Sequence, residues 1–151
     1  MSENTRSTPN ALRAHFEKPT GKPVSQLVRQ SKQKITDNRG AAIQASAELQ
    51  RLIFQLAAVV GDPSAEKERA RLRDATEELA SLSAFAGNPG MGEVARAYYA
   101  LCSEMLAGET WNQSFVDLHT AALRQSAQVG PDRSQEISAI VDGLNAVRSK
   151  L

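Results

Sequence analysis

Few side chains in this 151-residue chain could do chemistry, and their spacing excludes most of what they could do. There are two histidines, His15 and His119, and one cysteine, Cys102. No His, Cys and carboxylate residues recur at the short intervals that hold a metal ion. The di-iron bundle pattern, a Glu with a His three residues later, is absent from the sequence. Glu77 and Glu78 are adjacent, which on a helix turns them to different parts of the surface instead of pairing them for acid–base work. Gly87, Gly90 and Gly92 follow a helical run, not a strand, and no GxxxxGK motif occurs, so a phosphate-cradling loop is not expected. Cys102 falls on an apolar helix face and reads as core. Taken together, these residues argue for no enzyme and for no metal or other cofactor.

Composition narrows the partners. Lys and Arg number 18 against 17 for Asp and Glu, so no excess positive charge invites nucleic acid. No stretch approaches the ~20 apolar residues that a membrane-spanning helix needs, so membrane insertion is not expected. The opening residues MSENTRSTPN lack the apolar region of an export signal. With a single cysteine there is no disulfide framework, and a reducing, cytoplasmic location is the expectation. Aromatics make up only 5% of the chain, while Ala, Leu, Gln and Arg are abundant, which favours helices that pack through small residues.

Apolar periodicity then divides the chain. Residues 1–22 are rich in Ser, Thr, Asn, Pro and Gly and read as a mobile N-terminal tail. Within it Leu12 and Phe16 stand four apart, as on a short helix that either rests on its own domain or recognises a partner. Residues 23–151 read as one helical bundle. Val24, Leu27, Val28, Ser31 and Ile35 mark a short helix over 23–36, and Asp37-Asn38-Arg39-Gly40 is expected to break it. A second helix over 41–60 carries Ile43, Leu49, Leu52, Ile53, Leu56, Val59 and Val60, and Gly61 stops it. Asp62-Pro63 signals the start of a helix over 63–86, with Leu72, Ala75, Leu79, Leu82 and then Phe85 or Ala86 as its apolar stripe. Gly87-Asn88-Pro89-Gly90 separates this from a helix over 91–107, whose face is Met91, Val94, Ala95, Tyr98, Leu101, Cys102 and Met105. Thr110 and Gln113 form a capping box for a helix over 111–129, and Asp132 with Gln135 caps the last. Short connections favour antiparallel neighbours, so the predicted fold is all-α, an up-and-down bundle of four or five helices. Tyr98 and Tyr99 fit either core or a dimer contact.

Residues 75–102, ATEELASLSAFAGNPGMGEVARAYYALC, resemble the histidine-containing phosphotransfer (HPt) domain. That family's motif runs roughly His-x-Leu-Lys-Gly-Ser-Ala, followed by a small-residue turn and an amphipathic helix. Leu82 matches the motif leucine, Ala84-Phe85-Ala86-Gly87 falls on the Gly-Ser-Ala region, and Gly90-Met91 matches the turn. The departures lie where the chemistry would be: the phospho-accepting histidine falls on Ala80, the lysine on Ser83 and the motif glycine on Ala84. A methyl group cannot accept a phosphoryl group. The longer pattern is similar to the CheE-type proteins of alphaproteobacterial chemotaxis, which are HPt-like without the usual histidine. The segments that carry this likeness are NALRAHF, FAGNPGMGEVA, WNQSFVDLHTAALRQ and IVDGLNAV.

The resemblance implies a cytoplasmic, non-catalytic signalling module that binds a response-regulator receiver domain or a histidine kinase. Arg73, Glu77, Ala80, Ser81, Ser83, Ala84 and Gly87 would form the docking face. The same small residues also suit close helix packing, and both readings stand. His119 borders an apolar stripe, four residues after Phe115, and reads either as a boundary histidine or as an alternative phospho-acceptor, with Asp117, Thr120 and Arg124 nearby. A structural adaptor without any phosphorelay role is the remaining alternative.

Overall fold

A computed structural model describes residues 24–129 and 133–151 and is helical throughout its regular elements. The N-terminal tail, with Leu12, His15 and Phe16, lies outside the described residues, as does the cap expected at Asp132. Five α-helices follow in order: α1 Val24–Val59, α2 Glu66–Ser83, α3 Pro89–Ala107, α4 Gln113–Gln128 and α5 Ser134–Arg148. Two compact units divide the chain, Met1–Asp37 and Asn38–Leu151. In the first unit Ser25, Gln26, Arg29, Gln30, Lys32, Gln33 and Asp37 of α1 are exposed and Leu27 is half-buried. The packing described below belongs to the second.

The expected break at residues 37–40 is not there, because α1 runs through it as one helix of 36 residues. Nothing in Asp-Asn-Arg-Gly forbids a helix as proline does, and a single exposed glycine costs only about 1 kcal/mol. Gln33 Nε2 also donates to Asp37 Oδ1 at 3.1 Å, one turn along the same helix. The terminal signals of the other elements shift by a few residues. Asp62 Oδ1 accepts bonds from the Ser64 amide (2.9 Å) and hydroxyl (2.8 Å), making a local turn, and α2 starts only at Glu66. Glu66 and Glu68 then place acidic charge in its first turn, against the positive end of the helix dipole. Asn88 caps α3 by accepting the Met91 amide at 3.1 Å, with Pro89 in the first helical position. The capping box expected at Thr110 gives way to Asn112, whose side chain accepts the Phe115 amide at 3.3 Å.

Gln113, freed from capping, closes the far end of α1 instead. Its Nε2 donates to the Ala57 carbonyl at 2.9 Å, one of the last-turn carbonyls that a helix leaves without a partner. Arg69 of α2 does the same for the next turn, with Nε on Val60 O at 2.8 Å and Nη2 on Asp62 O at 3.2 Å. Its guanidinium also lies 4.7 Å from the Trp111 ring centroid, and Trp111 Nε1 donates to Gln113 Oε1 at 3.2 Å. One polar clasp thus joins the end of α1 to the starts of α2 and α4.

The apolar core gathers Ile53 and Leu56 from α1, Val60 just past its end, Leu72 and Leu79 from α2, Val94, Tyr98, Leu101 and Met105 from α3, Val116 and Leu123 from α4, and Leu144 from α5. Each such side chain contributes roughly 1.5–3 kcal/mol on burial. Tyr98 is fully buried and donates to Thr120 Oγ1 at 2.7 Å, while Thr120 donates onward to Val116 O at 2.8 Å. Tyr98 therefore belongs to the core, and Tyr99 is half-buried. Phe85, expected in the apolar stripe of α2, is instead 55% exposed, because the helix ends at Ser83 and the chain turns before Phe85 can face inward.

α3 occupies the centre, packed on α2, α4 and α5. It lies close against α2 at Gly92, where an added Cβ would stand 3.2 Å from both the Ala80 carbonyl oxygen and Ser83 Cβ. Gly92→Val is expected to destabilise the bundle by about 1–3 kcal/mol, because α2 and α3 must separate to admit the side chain. Arg69→Ala is expected to cost about 1.5–3 kcal/mol through the two carbonyls it leaves without a charged donor. Urea unfolding followed by circular dichroism measures both.

Candidate functional site

α2 carries the residues singled out as a docking face, and its 3.6-residue period sorts them. Leu72, Ala75, Thr76, Leu79 and Ser83 point into the core. Glu77, Ser81 and Ala84 are exposed and follow one another by fours and threes, with half-buried Arg73 at one end of the row and Ala80 along its edge. Ala84 still has helical φ and ψ, so the row continues to the last turn. Phe85 stands beside it.

Two residues of the expected face are elsewhere. Ser83 is fully buried, its Oγ donating to Leu79 O one turn back, and Gly92 of α3 packs against its Cβ. It is small because two helices meet there, and it cannot touch a partner. Gly87 is in the turn that ends α2, with φ +90°, a conformation that side chains resist. Any Cβ there would also stand 2.6 Å from Arg39 Nη2 of α1. The turn is closed by the Asn88 amide on Ser83 O at 2.8 Å. Gly87 is a structural requirement of the α2–α3 connection. Arg39, which the sequence reading missed, shares the connection with it, and no periodic signal links positions so far apart in the chain.

The electrostatics of the row are weak. Arg73 pairs with its own neighbour Asp74 at 3.1 Å on the surface, an arrangement worth little in solvent. Ser81 donates back to Glu77 O at 3.2 Å. Ala80 is half-buried against the core, and its carbonyl faces Gly92. The position that would bear a phospho-accepting histidine is thus a methyl group at the margin of the α2–α3 contact, with an open small-residue surface one turn further on.

His119 is a correction to the sequence reading. It lies inside the bundle with no solvent exposure, where the apolar face of α4 is wider than the stripe suggested. Its Nδ1 is 2.8 Å from the Phe115 carbonyl, an acceptor, so Nδ1 carries the proton and Nε2 is left as a buried acceptor without a partner. The ring tilts against Tyr98 with centroids 5.6 Å apart. Burial holds the imidazole pKa below its usual value, the bond to Phe115 O opposes this, and the positive charge of Arg148 adds to the lowering. A phospho-acceptor must reach an aspartyl phosphate on another protein, and no atom of His119 does so in this fold. Burial likewise pushes the Cys102 thiol up to about 12, which leaves it protonated and unreactive.

Among the described residues no three His, Cys, Asp or Glu side chains converge as a metal site, and no helix is long and apolar enough to cross a membrane. Protein-family models, characterised proteins and solved structures give no match to the chain.

The lowered pKa of His119 has a sign that can be tested. Below the unfolded-state value of about 6.5 the unfolded chain takes up a proton that the folded core resists, so stability falls as pH drops from 7.5 towards 5.5. Urea midpoints over that range are expected to fall more steeply for the native chain than for His119→Gln. Equal slopes would show that the imidazole is not held neutral.

Proposed function

We propose that this chain is a non-catalytic, HPt-like signalling module that binds a receiver domain or a chemotaxis histidine kinase and modulates a phosphorelay. The observation that carries this reading is the exposed row of α2, Glu77, Ser81 and Ala84 with Arg73 and Ala80 at its margins, which is open to close approach and holds no histidine. The motif likeness at Leu82, Gly90 and Met91 supports it, as does the all-helical bundle around them. The burial of His119 turns the reading away from phosphotransfer through that residue.

The mechanism is occupancy. A receiver bound to this row is withheld from its phosphodonor, and the fraction left free falls as the ratio of free bundle to Kd rises. Micromolar affinity, about −8 kcal/mol, suits a transient signalling contact of modest area. Phe85, exposed beside Ala84, supplies the apolar anchor that small residues lack.

Ala84→Arg is the discriminating variant, since Ala84 is exposed and its replacement leaves the core untouched. Titrating purified cognate receivers and kinase with the native chain is expected to give micromolar binding that Ala84→Arg weakens at least tenfold. Stable transfer of phosphate to the chain would overturn the non-catalytic assignment. Binding to none of these proteins would overturn the module itself.

A further inference from the structure

α3 and α5 run in the same direction and are pinned together at two places. Near their starts Gly90 lies under Ile137, whose Cγ1 would come within 2.9 Å of an added Cβ. Near their ends Arg148 Nε is 3.4 Å from Glu104 Oε1. Between the pins the helices do not close. α3 presents Ala97 and Ala100 there, side chains too short to reach across, and α5 buries fully only Ile137 and Leu144. The result is an open furrow of about 360 Å³ whose floor is Ala97, Ala100 and Val141.

Charge on its walls defines what would fit. Arg96 and Arg148 stand on its walls, with Glu93 one helical turn before Arg96 on α3. Arg96 makes no ion pair with a described residue, and Arg148 meets Glu104 through Nε. Two guanidinium groups with open donors beside an apolar floor call for carboxylates above apolar side chains. From Glu93 to Ala100 the furrow runs about 10 Å, two helical turns at 1.5 Å per residue. It is open along that length, so a small molecule would stay largely in water, whereas a helix would lay side chains at i, i+3 and i+4 along the floor.

We propose that the α3–α5 furrow docks an amphipathic helix of a protein partner, one with apolar residues over Ala97, Ala100 and Val141 and acidic residues that reach Arg96 and Arg148. The furrow shares no residue with the α2 row, so the bundle holds two surfaces that can be occupied together.

The test uses the full chain and a pair of synthetic helical peptides with leucines at i, i+3 and i+7. One carries glutamates flanking the leucines and the other carries lysines in their place. Binding is followed through backbone amide shifts in NMR spectra. The acidic peptide is expected to shift Ala97, Ala100 and Val141 and to bind about tenfold more tightly than the basic one. Arg96→Glu, a surface change, is expected to abolish that preference, and Ala100→Leu, which fills the floor, to weaken the acidic peptide. Equal binding of the two peptides, shifts centred elsewhere, or no shifts would overturn the proposal. So would shifts of these same residues on diluting the protein alone, which would make the occupant a second copy.

Discussion

α3 can take neighbours on three sides because the side chain it would turn towards α2 at position 92 does not exist. Gly92 lies over the Ala80 carbonyl and Ser83, with room for a Cβ only at 3.2 Å. That closeness places Leu79 and Leu72 of α2 against Val94, Tyr98 and Leu101 of α3, and the remaining helices pack around this pair. It also decides which residues of α2 face outwards. With Ser83 committed to the contact, the helical period leaves Glu77, Ser81 and Ala84 on the opposite side. The proposed docking row is thus a by-product of how the core is closed.

Much of this was readable from spacing. The faces of α3 and α4, the stop at Gly61 and the turn at residues 87–90 follow from apolar period and from residues with special backbone needs. Errors came where a local rule met a tertiary one. Asp-Asn-Arg-Gly looks like a break, but helix interruption needs something that blocks the backbone, and these residues do not. Phe85 fits the apolar spacing of α2 by one more step than the helix lasts. Ser83 and Ala84 are both small, and sequence gives no means of telling a residue small for packing from one small for access. Gln113 looked like half of a capping box and serves a helix more than fifty positions earlier.

Polar groups in the interior are reserved for structure. Tyr98, Thr120 and the Val116 carbonyl form a short chain of donors and acceptors that orders α3 against α4. His119 fills volume beside them at the cost of one unsatisfied nitrogen. Among the described residues the imidazole of His119 and the thiol of Cys102 are both sealed in.

The clasp of Arg69, Trp111 and Gln113 changes how the end of α1 behaves in time. Helix termini ordinarily fray, since their last carbonyls are held by nothing but water. Here those carbonyls are held by side chains from two other helices, so opening the last turn requires loosening α2 and α4 as well. Amide protons near Val60 should then exchange with solvent on the timescale of cooperative unfolding and not of local breathing. A helix end becomes a place where the motions of three helices are locked to one another.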